Sequence, residues 1–271
     1  MDLGLKDRAA FVAGASSGLG LAVATALAAE GCRVAICSRS EARVEAAARH
    51  ICAETGAAED RVLPLACDVT DEAQIADAVG RAAGAFGGIN ALVTNAGGPP
   101  AGFVDDFDAA QWRDALELNL ISTVNLCRHA LPHLRAAARA PEPLARILMV
   151  TSVSAKQPVP NLYLSNAARA GVQGFAKSLA EELGPAGITV NTILPGYTRT
   201  ERLGTLAEST RKRTGQTVEE IERGWSDATA LKRLGEPDEF AAAAVFLLSA
   251  RAAFITGVAL PVDGGRSKHL L

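Results

Sequence analysis

No apolar run in this 271-residue chain approaches the roughly 20 residues needed to span a bilayer, so no membrane is expected as a partner. The opening stretch MDLGLKDRAAFVAG also lacks the basic start, apolar stretch and cleavage site of a secretory signal, and a cytoplasmic location is expected. Neither charge is in large excess. The 27 basic and 30 acidic residues give a net charge of -3, which offers no general field for nucleic acid or anionic lipid and confines any nucleotide contact to a local site. The five cysteines (Cys32, Cys37, Cys52, Cys67 and Cys127) include no C-x-x-C pair, and they read as buried free thiols rather than redox or metal groups. His129 and His133 are spaced like two ligands on one helix face, but Pro132 interrupts that turn and no third ligand stands near, so no metal is expected.

What the chain does have is apolar mass, 49% hydrophobic residues with 25 glycines, enough for one large domain spanning residues 1–271. Short apolar runs alternate with alanine-rich amphipathic stretches: AAFVAG then LGLAVATALAAEG, RVAICS then EARVEAAARHICAET, RVLPLAC then DEAQIADAVGRAAGAF, and so on to ITVNTILPG. Strand–helix alternation of this kind predicts an α/β fold, a doubly wound parallel sheet of six or seven strands with helices on both faces. Two places break the rhythm. Residues 136–146 carry two prolines and read as a surface loop, and the polar residues 197–235, beyond the sixth strand, lie where a substrate lid belongs. No internal repeat, linker or domain boundary is visible.

The turn Gly14-Ala-Ser16-Ser17-Gly18-Leu19-Gly20 follows the first strand and opens the first helix, so backbone amides and the positive helix end can face a pyrophosphate with no side chain between. The residue after the second strand chooses between dinucleotides, because a carboxylate there grips the ribose hydroxyls and repels a 2'-phosphate. Ser38 and Arg39 stand there instead, which favours NADP(H) over NAD(H), the alternative being a solvent-facing Arg39. Asp68 and Val69 after the third strand could hold the adenine edge, or begin a helix, or both.

With these pieces in place the chain resembles, over almost its full length, the classical short-chain dehydrogenases/reductases, and in flavour the 3-oxoacyl-acyl-carrier-protein reductases. The glycine turn, Asp68, TNAG at 94–97, Asn119 in LELNL, Ser152 in MVTSVS, PGYTRT at 195–200 and the closing GVALPVDGG carry the likeness. The resemblance implies a Rossmann-type domain in which Asn95, Ala96, Gly97, Pro195, Gly196, Thr198 and Thr200 border the cofactor, Thr200 at its carboxamide. By the same resemblance Asn119 steadies a water path and Ser152 orients a carbonyl. Read without it, Asn119 bonds helix backbone and Ser152 caps a strand end. The family's tyrosine lies thirteen residues after the serine, its lysine four further on, and a Gly-Phe pair nine and ten after the tyrosine. Counting from Ser152 lands on Ser165, Arg169, Gly174 and Phe175, so both anchors agree while the Tyr/Lys pair is replaced by Ser165 and Arg169. Tyr163 falls two residues early, either a displaced acid or a wall residue of the substrate cleft.

Two functions stay open on this reading. The first is an NADP(H)-dependent oxidoreductase interconverting a carbonyl, of a small ketone or an acyl thioester, with a secondary alcohol. The second is a dinucleotide-binding sensor or scaffold that has lost the chemistry. Ser165 donates a hydrogen bond but is a poor acid, and Arg169 keeps its charge and lends no proton, so losing the positioned acid costs about a hundred- to ten-thousand-fold in rate. The run Arg211-Lys212-Arg213 in the lid could meet an acyl carrier's acidic face or lie as a solvated helix face. A homotetramer is the expectation from the family, with a dimer next.

Overall fold

A computed structural model of the chain describes residues 1–270. Seven strands form one sheet: β1 (Ala9–Ala13), β2 (Arg33–Ser38), β3 (Val62–Ala66), β4 (Ala91–Thr94), β5 (Arg146–Val150), β6 (Thr189–Pro195) and β7 (Ala259–Val262), in the order β3-β2-β1-β4-β5-β6-β7 and parallel throughout. The helices are α1 (Gly18–Ala29), α2 (Glu41–Thr55), α3 (Glu72–Phe86), α4 (Ala109–Leu116), α5 (Ser122–Ala138), α6 (Tyr163–Leu183), α7 (Glu201–Thr214), α8 (Val218–Asp227) and α9 (Pro237–Leu248). Continuous apolar strands such as AAFVA, buried along their whole length, suit a sheet covered on both faces.

The strand period of two divides the core. Ala10 and Val12 of β1 pack with Val34 and Ile36 of β2 against α1, α2 and α9, whereas Phe11 and Ala13 join Ala35 and Cys37 against the face covered by α3, α5 and α6. Phe11 is fully buried, and its truncation to alanine costs about 3–5 kcal/mol. Four cysteines are buried and Cys52 is partly so, all of them free.

Two sequence expectations need correction. Helix α5 runs through Pro132 without a break, although proline there removes a hydrogen bond to the carbonyl of Arg128. Leu126, Ala130 and Leu134, packed into the core from both sides of it, outweigh a penalty of about 3 kcal/mol. The loop expected over residues 136–146 is shorter, because α5 continues to Ala138 and β5 begins at Arg146. The polar segment 197–235 contains α7 and α8, each with a threonine N-cap, Thr200 and Thr217. Among the described residues no helix is long and apolar enough to cross a membrane.

The chain leaves β1 in one direction toward β2 and β3, then returns to place β4 on the other side of β1. Loops at the carboxyl ends of β1 and β4 therefore diverge and leave a crevice, the position at which open α/β sheets bind their ligands.

Candidate active site

The crevice is a cleft of about 700 Å³. Its floor is the glycine turn. Gly14 has φ +59°, and a Cβ there would come within 2.7 Å of the Asn95 carbonyl; one on Gly20 would strike the Gly14 carbonyl. These contacts let Asn95 Nδ2 donate to Gly14 O at 3.0 Å, tying the end of β4 to the turn after β1. Ser17 occupies the N-cap of α1 yet makes no capping bond, and the first turn holds no acidic residue, so the amides and positive end of α1 stay free for an anion. Helices α2 and α3, by contrast, are capped by Ser40 and Asp71.

The cleft gathers most of the residues singled out from the sequence: Gly14, Ser16, Ser17, Gly18, Leu19, Ser38, Arg39, Val69, Asn95, Ala96, Gly97, Ser152, Ser165, Arg169, Pro195, Gly196, Thr198 and Thr200. Gly20 supports the turn from behind. Asp68 does not line the cleft: its Oδ1 accepts from Thr70 N at 3.0 Å and Thr70 Oγ1 at 2.8 Å, closing the turn before α3, while Cys67 and Val69 form the wall. At the adenosine end Ser38 Oγ donates to Ser40 O at 3.2 Å, and Arg39 is exposed. Arg43, in the first turn of α2, was not singled out from the sequence; it lines the same end and pairs with Glu201 of α7 at 3.1 Å.

At the other end, Asn119 lies beneath the cleft, 1% exposed, in a π-helical turn (Glu117–Ile121) that joins α4 to α5. Its Nδ2 donates to Gly97 O at 2.8 Å, and its buried Oδ1 has no partner. Such π-turns concentrate at functional sites because the surplus residue disturbs the regular ladder of backbone bonds. Ser152 follows β5, and its Oγ accepts from Ser154 N at 3.1 Å, which leaves the hydroxyl proton free to point into the cleft. Ser165 and Arg169, four apart on α6, share one face of the helix. Ser165 Oγ lies 3.4 Å from Ser154 Oγ.

Arg169 is 7% exposed and crosses beneath the ends of two central strands: Nη1 donates to Val150 O at 2.9 Å and Nη2 to Ala96 O at 3.3 Å, while buried Nε has no partner. Burial, joined by the positive charge of Arg202, pulls its pKa down to about 10, which leaves it a cation at neutral pH.

Tyr163 is elsewhere. It is 42% exposed, its ring lies 6.1 Å from that of Phe103, and it does not line the cleft. The local reason is Asn166, whose side chain accepts from Val159 N at 3.2 Å and donates to Val159 O at 3.0 Å, gathering the preceding loop so that α6 begins at Tyr163. Two residues along a helix turn the side chain about 200° from Ser165.

The segment 197–235 and the tail beyond β7 add cleft residues that sequence reasoning missed. Arg202 Nη2 donates to Pro99 O at 2.8 Å. Arg266 from the tail beyond β7 lies over the Tyr197 ring at 4.6 Å and donates to its hydroxyl at 3.2 Å, and Tyr197 stacks on Trp225 of α8 at 5.0 Å. Arg202 stands just beyond PGYTRT, a signal that was available; Arg266 comes from a distant segment, and only the fold brings it here. In the basic run, Arg211 is paired with Glu208 at 2.6 Å, so that part of its charge is already answered.

A dinucleotide-sized cleft at the switch point of a seven-stranded parallel sheet, floored by an uncapped glycine turn, is the architecture of the short-chain dehydrogenases/reductases, and the chain belongs to that family. Residues 14–267 match the family model described as Enoyl-(Acyl carrier protein) reductase. Within the family the chain is 36% identical to the monensin polyketide synthase putative ketoacyl reductase of Streptomyces virginiae, over 96% of this chain and 97% of that protein. It is 34% identical to cis-4-hydroxycyclohexanecarboxylate dehydrogenase of Sinomonas cyclohexanicum, over 96% of each. Its backbone follows L-sorbose reductase of Gluconobacter frateurii, solved with NADPH and L-sorbose, with a TM-score of 0.91 at 32% identity over 100% of both chains. Solved structures similar to this chain hold NADPH or NADH.

Proposed function

We propose that the chain is an NADP(H)-dependent oxidoreductase interconverting a carbonyl and a secondary alcohol at an atypical active site. The observation that carries the reading is one cleft that joins the uncapped glycine turn to Ser152, Ser165 and Arg169. The ketoacyl, hydroxycyclohexanecarboxylate and sorbose named for its relatives share that pair of functional groups.

The residues present fit the dinucleotide: a turn held tight by Gly14 and Gly20, where a Cβ would strike Asn95 and the Gly14 carbonyl, a helix end with free amides, and Arg39 with Arg43 where a carboxylate would repel a 2'-phosphate. When bound, the cofactor supplies the hydride. The chain supplies the rest. Ser152 donates a hydrogen bond to the carbonyl oxygen, and Ser165 offers a second hydroxyl from the head of α6. Arg169 holds a fixed positive charge near them, favouring the negative charge that develops on oxygen. This arrangement stabilises the alkoxide by hydrogen bonds and charge rather than by a positioned phenolic acid; the proton that completes the alcohol comes from solvent, and turnover is slower than at a Tyr/Lys site by about a hundred- to ten-thousand-fold.

The same replacement favours a second reading, a dinucleotide-binding sensor, because neither Ser165 nor Arg169 is a ready proton donor. NADPH oxidation across a panel of ketones and acyl thioesters, run beside an NADPH binding titration, separates the two. Turnover supports the reductase; tight binding with no turnover of any substrate refutes it in favour of the sensor.

A further inference from the structure

The charges of the cleft do not balance, and their placement indicates what kind of substrate the proposed reductase takes; the inference rests on that reading. Five arginines line the cleft, Arg39, Arg43, Arg169, Arg202 and Arg266, against one carboxylate, Glu201, which is paired with Arg43. The cofactor accounts for the first two. Its 2'-phosphate falls to Arg39 and Arg43, and its pyrophosphate to the amides of α1, which need no arginine. Arg169 is committed to the strand ends, with Nη1 on the carbonyl of Val150 and Nη2 on that of Ala96, and only its buried Nε is without a partner among the described residues.

Arg202 and Arg266 remain, and among the described residues neither is paired with a carboxylate. Both are held in place by uncharged groups. Arg202 is fixed by the Pro99 carbonyl and lies flat against Gly98, where a Cβ would come within 3.0 Å of its Nη2. Arg266 is sandwiched on Tyr197, itself stacked on Trp225, and its buried Nη1 has no partner. The same cleft is lined by apolar side chains, among them Val153, Val159, Leu162, Leu203 and Leu206. Pre-positioned guanidiniums with unused donors at the edge of an apolar chamber match a molecule with a hydrocarbon body and an anionic end. Arg202 also crowds Arg169 with like charge, a repulsion that an anion would relieve.

We propose that Arg202 and Arg266 bind the carboxylate of the substrate, which is therefore an oxo acid, or in the reverse direction a hydroxy acid, with its reacting carbon presented to Ser152. Arg202 supplies a bidentate fork from the lid, so substrate charge and lid position are coupled. Arg266, held over the Tyr197 ring, adds a second positive charge.

The test compares 4-oxocyclohexanecarboxylate with its methyl ester, which differ chiefly in charge, as substrates for the intact protein with NADPH. The acid is expected to be preferred in kcat/KM by about ten- to a hundred-fold, and Arg202→Gln to abolish that preference by lowering kcat/KM for the acid far more than for the ester. Arg202→Lys keeps charge without the fork and should retain part of the preference. Circular dichroism and the dissociation constant of NADPH, both unchanged in the variants, exclude misfolding and a cofactor role. If no ketone is turned over and the reductase reading fails, the clamp is read by binding alone: cyclohexanecarboxylate should bind the protein–NADPH complex and its methyl ester should not, with Arg202→Gln and Arg266→Gln each losing the difference. Equal use or equal binding of acid and ester overturns the proposal, as does a loss of NADPH affinity in Arg202→Gln that matches its loss of activity.

Discussion

Replacing Ser165 by tyrosine and Arg169 by lysine together puts a phenol and an amine one helical turn apart at the head of α6. Both positions face the cleft, whose volume of about 700 Å³ leaves room for a ring to extend beyond the Ser165 hydroxyl. The expected gain is that of a positioned acid, about a hundred- to ten-thousand-fold in the rate of ketone reduction, or about 3–5 kcal/mol of barrier. The cost falls on stability. Arg169 bonds two main-chain carbonyls, at 2.9 Å and 3.3 Å, and a lysine amine can satisfy only one of them well. The orphaned acceptor costs about 1–3 kcal/mol, a fall in Tm of about 5 °C for a domain of this size. Single-turnover NADPH oxidation isolates the chemical step from product release, and the single Ser165→Tyr variant, with a phenol but no amine, is expected to lie between the wild type and the double variant. A double variant that is folded, binds NADPH with unchanged affinity and still reduces no ketone faster than the wild type refutes the reasoning, since the native protein would then already possess a competent acid elsewhere.

Four smaller experiments address the rest of the cleft. Arg39→Glu should raise the dissociation constant of NADPH by about tenfold or more and leave that of NADH unchanged or lower, and equal effects on the two would remove Arg39 from phosphate recognition. Tyr163→Phe should leave kcat/KM within about twofold of wild type; a tenfold loss would bring that phenol into the reaction. Gly20→Ala, whose Cβ lands on the Gly14 carbonyl, should abolish NADPH binding and cost about 1–3 kcal/mol in chemical denaturation, and wild-type binding would show that the turn yields. The Arg233 guanidinium and the Glu236 amide hold the Glu239 carboxyl at about 2, below its ordinary value of 4.5. The stability this contributes is present above 4.5 and lost as pH falls toward 2, so Glu239→Gln should flatten acid unfolding across that window, and an unchanged acid profile in the variant would remove the pair from acid stability.

The sheet was readable because burial on both faces demands continuous apolar strands, and runs such as AAFVA and RILMV can hardly be anything else once helices separate them. That the glycine turn and Arg39 line one cleft was equally legible, since each stands at the carboxyl end of an adjacent strand, β1 and β2. Counting from Ser152 also put Ser165 and Arg169 on the cleft, because α6 starts early enough to keep the spacing regular. Pro132 misled, since local propensity says nothing about how deeply Leu126, Ala130 and Leu134 are packed. Arg266 could not be found by pattern, because its neighbours Tyr197 and Trp225 lie 69 and 41 residues away in the sequence. Arg43 escaped for another reason: at the start of an amphipathic helix an arginine usually reads as solvent-facing, and only the position of α7 puts it at the mouth of the cleft.

The π-helical turn at Glu117–Ile121 makes α4 and α5 one rod with a single surplus residue. Each residue of an α-helix advances the clock face by about 100°. The π-turn bonds each amide one residue further back than an α-helix does, and so takes up the surplus residue without turning the rod; deleting one residue there would restore the ordinary ladder with Leu126, Ala130 and Leu134 still facing the core, while the widened turn that aims Asn119 at Gly97 would be lost. The packing of the rod would therefore tolerate the shorter length and the site would not, which makes the surplus residue a feature of the cleft rather than of the core.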